Sequence, residues 1–221
     1  MKTVEQIFEA KTIVPTIGGL LDPTIILPLT TALVEGGAKM LSVRLLQPQS
    51  FKVISLIKEH FPDLIIGAAG IMDAADFFNA SLAGADIISS PGSTPEIFTA
   101  ARTRYNSAPF VPGVISPSEV MSALSQGFNV LQLFPVSIMD GYDLAATYSH
   151  TFHAAKFVMG GGITFTTAER YLSLSNVIAI GMSEITNSQL VHNKDFTEIR
   201  QRMEQAVLIA NAAQAAATYV G

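Results

Sequence analysis

Two hydrophobic periods take turns along the chain. Short runs rich in β-branched residues come first: T-I-V-P-T-I (12–17), K-M-L-S-V-R-L (39–45), L-I-I-G-A-A (64–69) and D-I-I-S-S (86–90). They continue with P-F-V-P-G-V (109–114), N-V-L-Q-L-F (129–134), K-F-V-M-G (156–160) and N-V-I-A-I-G (176–181). Between them the apolar positions fall at helical spacing, as over 28–34, 51–60, 74–82, 95–102 and 118–124. The runs are apolar on both faces and alternate with helices, which predicts a parallel sheet covered on both sides. In E-G-G-A-K-M-L, L-A-G-A-D-I-I and Q-G-F-N-V-L a glycine ends the helical stretch shortly before the strand. Glycine there supplies the left-handed residue that closes a helix.

Eight strand–helix units predict an α/β fold, a single (β/α)₈ TIM barrel, with an extra N-terminal helix at 3–9. No composition shift or Pro/Gly/Ser linker interrupts the pattern, so 1–221 reads as one domain. A doubly wound open sheet is the structural alternative, but its G-x-G-x-x-G turn after the first strand is missing.

Composition narrows the function classes. Apolar residues make up 49% of the 221 and charged ones 14%, which excludes disorder and implies a large core. The 13 Lys and Arg residues form no cluster and the net charge is −5, so there is no electrostatic footprint for nucleic acid. Cysteine is absent, which removes disulfides, thiolate nucleophiles and zinc–thiolate sites and fits a cytoplasmic location. No apolar run reaches the roughly 18 residues of a membrane span.

In a barrel, chemistry sits at the C-terminal ends of the strands. That rule selects Gly18-Gly19, Ser42, Arg44, Gly70, Ser90-Pro91-Gly92, Pro112-Gly113, Gln132, Gly160-Gly161-Gly162 and Gly181–Glu184. The turns M-G-G-G-I-T (159–164) and I-G-M-S-E (180–184) follow the last two strands, where barrels bind phosphate through backbone N–H groups. Gly161, Gly162, Gly181, Met182 and Ser183 are therefore candidate phosphate ligands; tight turns alone are the plainer explanation. Ser42 and Arg44 share a face, and Glu184 is a candidate partner for the arginine, as a salt bridge or in catalysis. His150 and His153 lack an evident third metal ligand and read as surface residues, and Asp140 and Asp143 read as helix caps. No cofactor or metal is implied. Gln132 is the odd residue, an amide inside the otherwise apolar V-L-Q-L-F-P-V (130–136).

The chain resembles the 2-keto-3-deoxy-6-phosphogluconate and 4-hydroxy-2-oxoglutarate aldolases from about Ile13 to Ser183. The resemblance rests on I-V-P-T-I (13–17), A-L-V-E-G-G-A-K-M-L-S-V (32–43), G-A-A-G (67–70) and I-S-S-P-G (88–92). F-V-P-G-V (110–114), L-F-P (133–135), G-G-I-T (161–164) and I-G-M-S (180–183) continue it in order. It implies a class I lyase that cleaves a 2-keto acid to pyruvate and an aldehyde, and a homotrimer. In that family a lysine in a motif like F-K-F-F-P forms the Schiff base, and a glutamate in a motif like L-E-V-T-L-R moves protons.

Aligned on these motifs, the lysine position is Gln132, the glutamate position Ser42 and the motif's arginine Leu46. The threonine of its G-A-G-T, which helps hold the substrate carboxylate, is Gly70. An amide nitrogen is not a nucleophilic amine, and a lone serine is a poor proton shuttle. Lys2, Lys11, Lys39, Lys52, Lys58, Lys156 and Lys194 are placed at the termini, on helices, in a late loop or at the opposite face. The expectation is a family member impaired in Schiff-base chemistry that still binds a small phosphorylated or keto-acid ligand. Gly70, Pro91, Gly92 and Phe134 complete the expected pocket, with Gln132 hydrogen-bonded by Ser42 and Arg44. The alternatives are a lyase or isomerase using Arg44 and Glu184, a metal-dependent aldolase, and a non-catalytic interaction subunit.

Overall fold

The computed structural model describes residues 3–18, 22–103 and 108–219, so Gly19 and Lys2 lie outside the described residues. Among the described residues, nine strand segments form one parallel sheet in the order β5-β4-β3-β2-β1-β9-β8-β7-β6. These are β1 (Thr12–Ile17), β2 (Met40–Arg44), β3 (Ile65–Ala69), β4 (Ile87–Ser89), β5 (Phe110–Val111), β6 (Gly113–Val114), β7 (Val130–Leu133), β8 (Lys156–Met159) and β9 (Val177–Met182). β5 pairs with β4 and β6 with β7, and only Pro112 separates the two. Proline has no N–H to give a ladder, so the strand breaks there. Both edges of the sheet thus belong to one short stretch of chain, and the barrel is nearly closed.

Helices alternate with the strands: α1 (Val4–Ile7), α2 (Pro23–Glu35), α3 (Ser50–His60), α4 (Ala74–Leu82), α5 (Pro95–Ala101), α6 (Pro117–Ser125), α7 (Gly141–Thr151), α8 (Phe165–Leu172), α9 (Ser188–His192) and α10 (Phe196–Tyr219). Their starts follow local chemistry. Pro95 and Pro117 open helices behind the capping hydroxyls of Thr94 and Ser116. Gly37, Gly84 and Gly127 have φ of 93°, 91° and 85°, the left-handed closure expected at those three helix ends.

Two expectations need correcting. The helix expected from residue 28 begins at Pro23, because the Asp22 carboxylate caps Thr24 N–H and Pro28 is carried inside. Asp140 precedes α7 without a side-chain cap bond, and Asp143 lies 3.6 Å from Arg170 instead. The expected N-terminal helix is one turn, Val4–Ile7.

The core has two parts. The larger lies between the sheet and the helices, where Ile26, Leu33, Ile57, Phe77, Phe157 and Ile199 are fully buried. The smaller lies inside the barrel and joins Phe8 to Val14, Met40, Ile87, Val111, Val130 and Ala179. Val4 and Ile7 of α1 pack against it. Phe8 and α1 thereby floor the N-terminal end, and the same interior is left unfilled toward the other end. No helix among the described residues is long and apolar enough to cross a membrane.

Candidate functional site

A cavity of about 520 Å³ opens at the C-terminal ends of the strands and reaches down to Phe8. That is the size of a small-molecule site. Alternation by two decides which residues face it. Strand β1 contributes Val14 and Thr16, β2 Met40, Ser42 and Arg44, and β4 Ile87 and Ser89. Gln132 comes from β7, and Phe134 just beyond it. The space exists because Gly67, Ala69, Gly160 and Gly181 occupy inward positions that larger side chains would fill.

The polar groups facing the cavity do not satisfy one another. Among the described residues, the Gln132 amide, the Ser42, Thr16 and Ser89 hydroxyls and the Arg44 guanidinium make no hydrogen bond or ion pair with the protein. The expected bonds from Ser42 and Arg44 to Gln132 are therefore absent. The backbone beneath Gln132 is held firmly, its N–H donating to Pro112 O at 2.8 Å. Arg44 is the one charged residue among the described residues lining the cavity.

A glycine turn forms another part of the wall. Gly161 and Gly162 have φ of 94° and 82°, and a Cβ on Gly162 would stand 2.3 Å from Ser137 Oγ. Both line the cavity, and among the described residues their N–H groups have no protein acceptor. The turn is clamped by Val136 N–H to Gly160 O and Ser137 N–H to Gly161 O, each 3.0 Å. Donors without acceptors, held by a fixed backbone, suit an anion. Gly181 and Ser183 line the same side.

Of the expected site residues, Gln132, Ser42, Arg44, Gly161, Gly162, Gly181, Ser183, Gly70, Pro91 and Phe134 thus share one cavity. Three others lie elsewhere. Met182 alternates to the opposite face and is fully buried in the outer core. Gly92 is outside the lining, because the 90–92 turn folds against Gly113, whose Cβ would meet Pro91 C at 2.3 Å. Glu184 does not reach Arg44; its carboxylate accepts Phe165 N–H at 2.7 Å, at the start of α8, and its carbonyl accepts from Arg202 Nη1 at 3.0 Å. A carboxylate at a helix N-terminus satisfies a free donor and the helix dipole, which explains the choice of partner.

Sequence reasoning missed Thr16, Ser89, Met72 and the floor residue Phe8. The alternation Val14–Thr16 would have found Thr16. Ser90, selected instead of Ser89, is buried and bonds Gly113 N–H at 3.3 Å. No lysine lines the cavity among the described residues. Lys11 lies at the N-terminal side of the barrel, its Nζ donating to Leu174 O at 2.7 Å and to Val177 O. Burial, helped by the Lys156 charge, lowers it to about 8. His150 and His153 are exposed, and no cluster of metal-ligating side chains occurs among the described residues.

The family model for KDPG and KHG aldolase matches residues 4–202. The 2-dehydro-3-deoxy-phosphogluconate aldolase of Pseudomonas aeruginosa is 30% identical over 182 residues, which cover 82% of each chain. That of Pseudoalteromonas atlantica is 32% identical over 180 residues, 81% of this chain and 83% of its own. Among solved structures, KDPG aldolase from Legionella pneumophila, with pyruvate captured as a covalent carbinolamine, superposes with a TM-score of 0.86 at 32% identity. The match covers 91% of this chain and 96% of that one. Barrel topology, motif order and these likenesses agree: the chain belongs to the KDPG and KHG aldolase family.

Proposed function

We propose that this family member binds a small carboxylated or phosphorylated molecule at the C-terminal mouth of its barrel and does so without forming a Schiff base. One observation carries the reading: the cavity holds the Gln132 amide where the family motif has its lysine, and no other lysine lines it among the described residues. Imine formation needs a free amine, and the enamine that follows needs a proton carrier near the reacting carbon. Ser42, at the motif's glutamate position, has no carboxylate or imidazole among its described cavity neighbours. What the cavity keeps is suited to binding: Arg44, the N–H groups of Gly161 and Gly162 (without acceptors among the described residues), Ser183 and the neutral side chains below them.

The alternative lyase or isomerase using Arg44 and Glu184 loses support, since the Glu184 carboxylate is committed to α8. The rest of the reading is a single (β/α)₈ domain over 1–221, β5 and β6 counting as one strand, with α1 as an added N-terminal helix. A homotrimer follows from the resemblance, and a cytoplasmic location from the cysteine-free composition.

The test is to incubate purified protein with 2-keto-3-deoxy-6-phosphogluconate and follow pyruvate, beside the same preparation of a host strain lacking the gene. The expected result is no release above that control, and no adduct on a cavity residue after borohydride reduction. Pyruvate release that scales with protein would overturn the reading.

A further inference from the structure

From the layering of the cavity walls we infer that the natural ligand is an amphipathic carboxylate: an anionic end, a carbonyl or hydroxyl oxygen beside it, and an apolar tail directed inward. This rests on the proposed binding role and names the chemistry of the occupant.

The layering follows the strand direction. On β2 the inward residues run Met40, Ser42, Arg44, and on β4 Ile87, Ser89, so each strand passes from apolar to polar toward the mouth. The innermost level is floored by Phe8, with Gly67 in its wall. No polar side chain lines that floor among the described residues, so whatever reaches it must be apolar.

Above it stands a belt of neutral hydrogen-bonding groups. The hydroxyls of Thr16 and Ser42 and the amide of Gln132 offer both donors and acceptors, and none has a protein partner among the described residues. A carbonyl or hydroxyl matches such a belt; a buried charge would gain little there beyond its desolvation cost. Arg44 follows at the rim as the one charged lining residue among those described, with no carboxylate among the described residues paired to it. A guanidinium in this state suits a carboxylate held in two-pronged fashion. The rim near it is apolar too: Leu46 and Met72 line the cavity while 59% and 68% exposed.

The experiment is calorimetric titration of the full chain with 4-methyl-2-oxopentanoate, pyruvate and 2-keto-3-deoxy-6-phosphogluconate. The first carries the apolar tail and the second lacks it. The expected result is binding of 4-methyl-2-oxopentanoate at least about tenfold tighter than pyruvate, the tail being buried. Arg44→Gln, at an exposed position, should weaken both acids by about tenfold or more. Gly67→Ala places a methyl 3.4 Å from Ile87 and Met40. It should erase most of the preference for the tailed acid. Equal affinity for the two acids, or tight binding of the sugar acid alone, would overturn the assignment and leave the binding role standing. Absence of binding by all three would overturn both.

Discussion

The two ends of this barrel are built on the same alternation and have opposite fates. At the N-terminal end the inward positions are Val14, Met40, Ile87, Val111 and Val130, and Phe8 closes them from below. At the C-terminal end they are Thr16, Ser42, Ser89 and Gln132, interspersed with glycine and alanine, and nothing among the described residues fills the space. One end is core because its side chains satisfy each other by contact alone. The other is a site because its polar side chains are left without partners among the described residues, a condition a folded chain ordinarily avoids. Stability is invested in the closed end and in the outer core. The open end holds the groups that folding does not need.

This contrast can be broken in three ways. The largest effect is expected at Gly113, where the open end is supported from behind. A Cβ there meets Pro91 C and Ser90 O at 2.3 Å, backbone atoms that cannot rotate aside. Gly113→Ala should cost about 3 kcal/mol or more, read as a lower urea midpoint. An unchanged midpoint would mean that the 90–92 turn is free to move and does not brace the mouth.

Next comes the floor. Phe8→Ala removes a side chain 7% exposed and opens the closed end to water, and should cost about 3 kcal/mol. A loss below about 1 kcal/mol would show that α1 and Phe8 only cover the barrel and do not form its core.

The smallest effect is the most telling. Gln132→Leu replaces an amide without a partner among the described residues by an apolar side chain of similar size. It should leave stability unchanged or raise it by up to about 1 kcal/mol, while weakening ligand binding in the calorimeter. A loss above about 1 kcal/mol would make Gln132 part of the fold, and the contrast between the two ends would fail.

Much of the fold was legible because its signals are local. The apolar runs became strands within a residue or two, and the three helix-closing glycines have the left-handed backbone their position called for. The split at Pro112 was not anticipated, though proline's missing N–H announces it. Helix starts went astray where two prolines competed: Asp22-Pro23 has the capping carboxylate, and Pro28 does not. The site was legible as far as the direction of each strand's pleat. That rule brings Ser42, Arg44 and Gln132 together, and applied to β9 it separates Met182 from Gly181 and Ser183.

The order of elements, the inward face of each strand and the absence of a lysine at position 132 were determined by the sequence alone, since each depends on neighbours one to four residues away. Only the tertiary structure decided which of two adjacent serines faces the cavity, because the short strand β4 takes its register from its neighbours. It alone gave Glu184 to α8 instead of Arg44, a choice between two attractive partners that only distance settles. It alone left Arg44 and Gln132 unpaired among the described residues, since a hydrogen bond between elements depends on how the barrel closes in space.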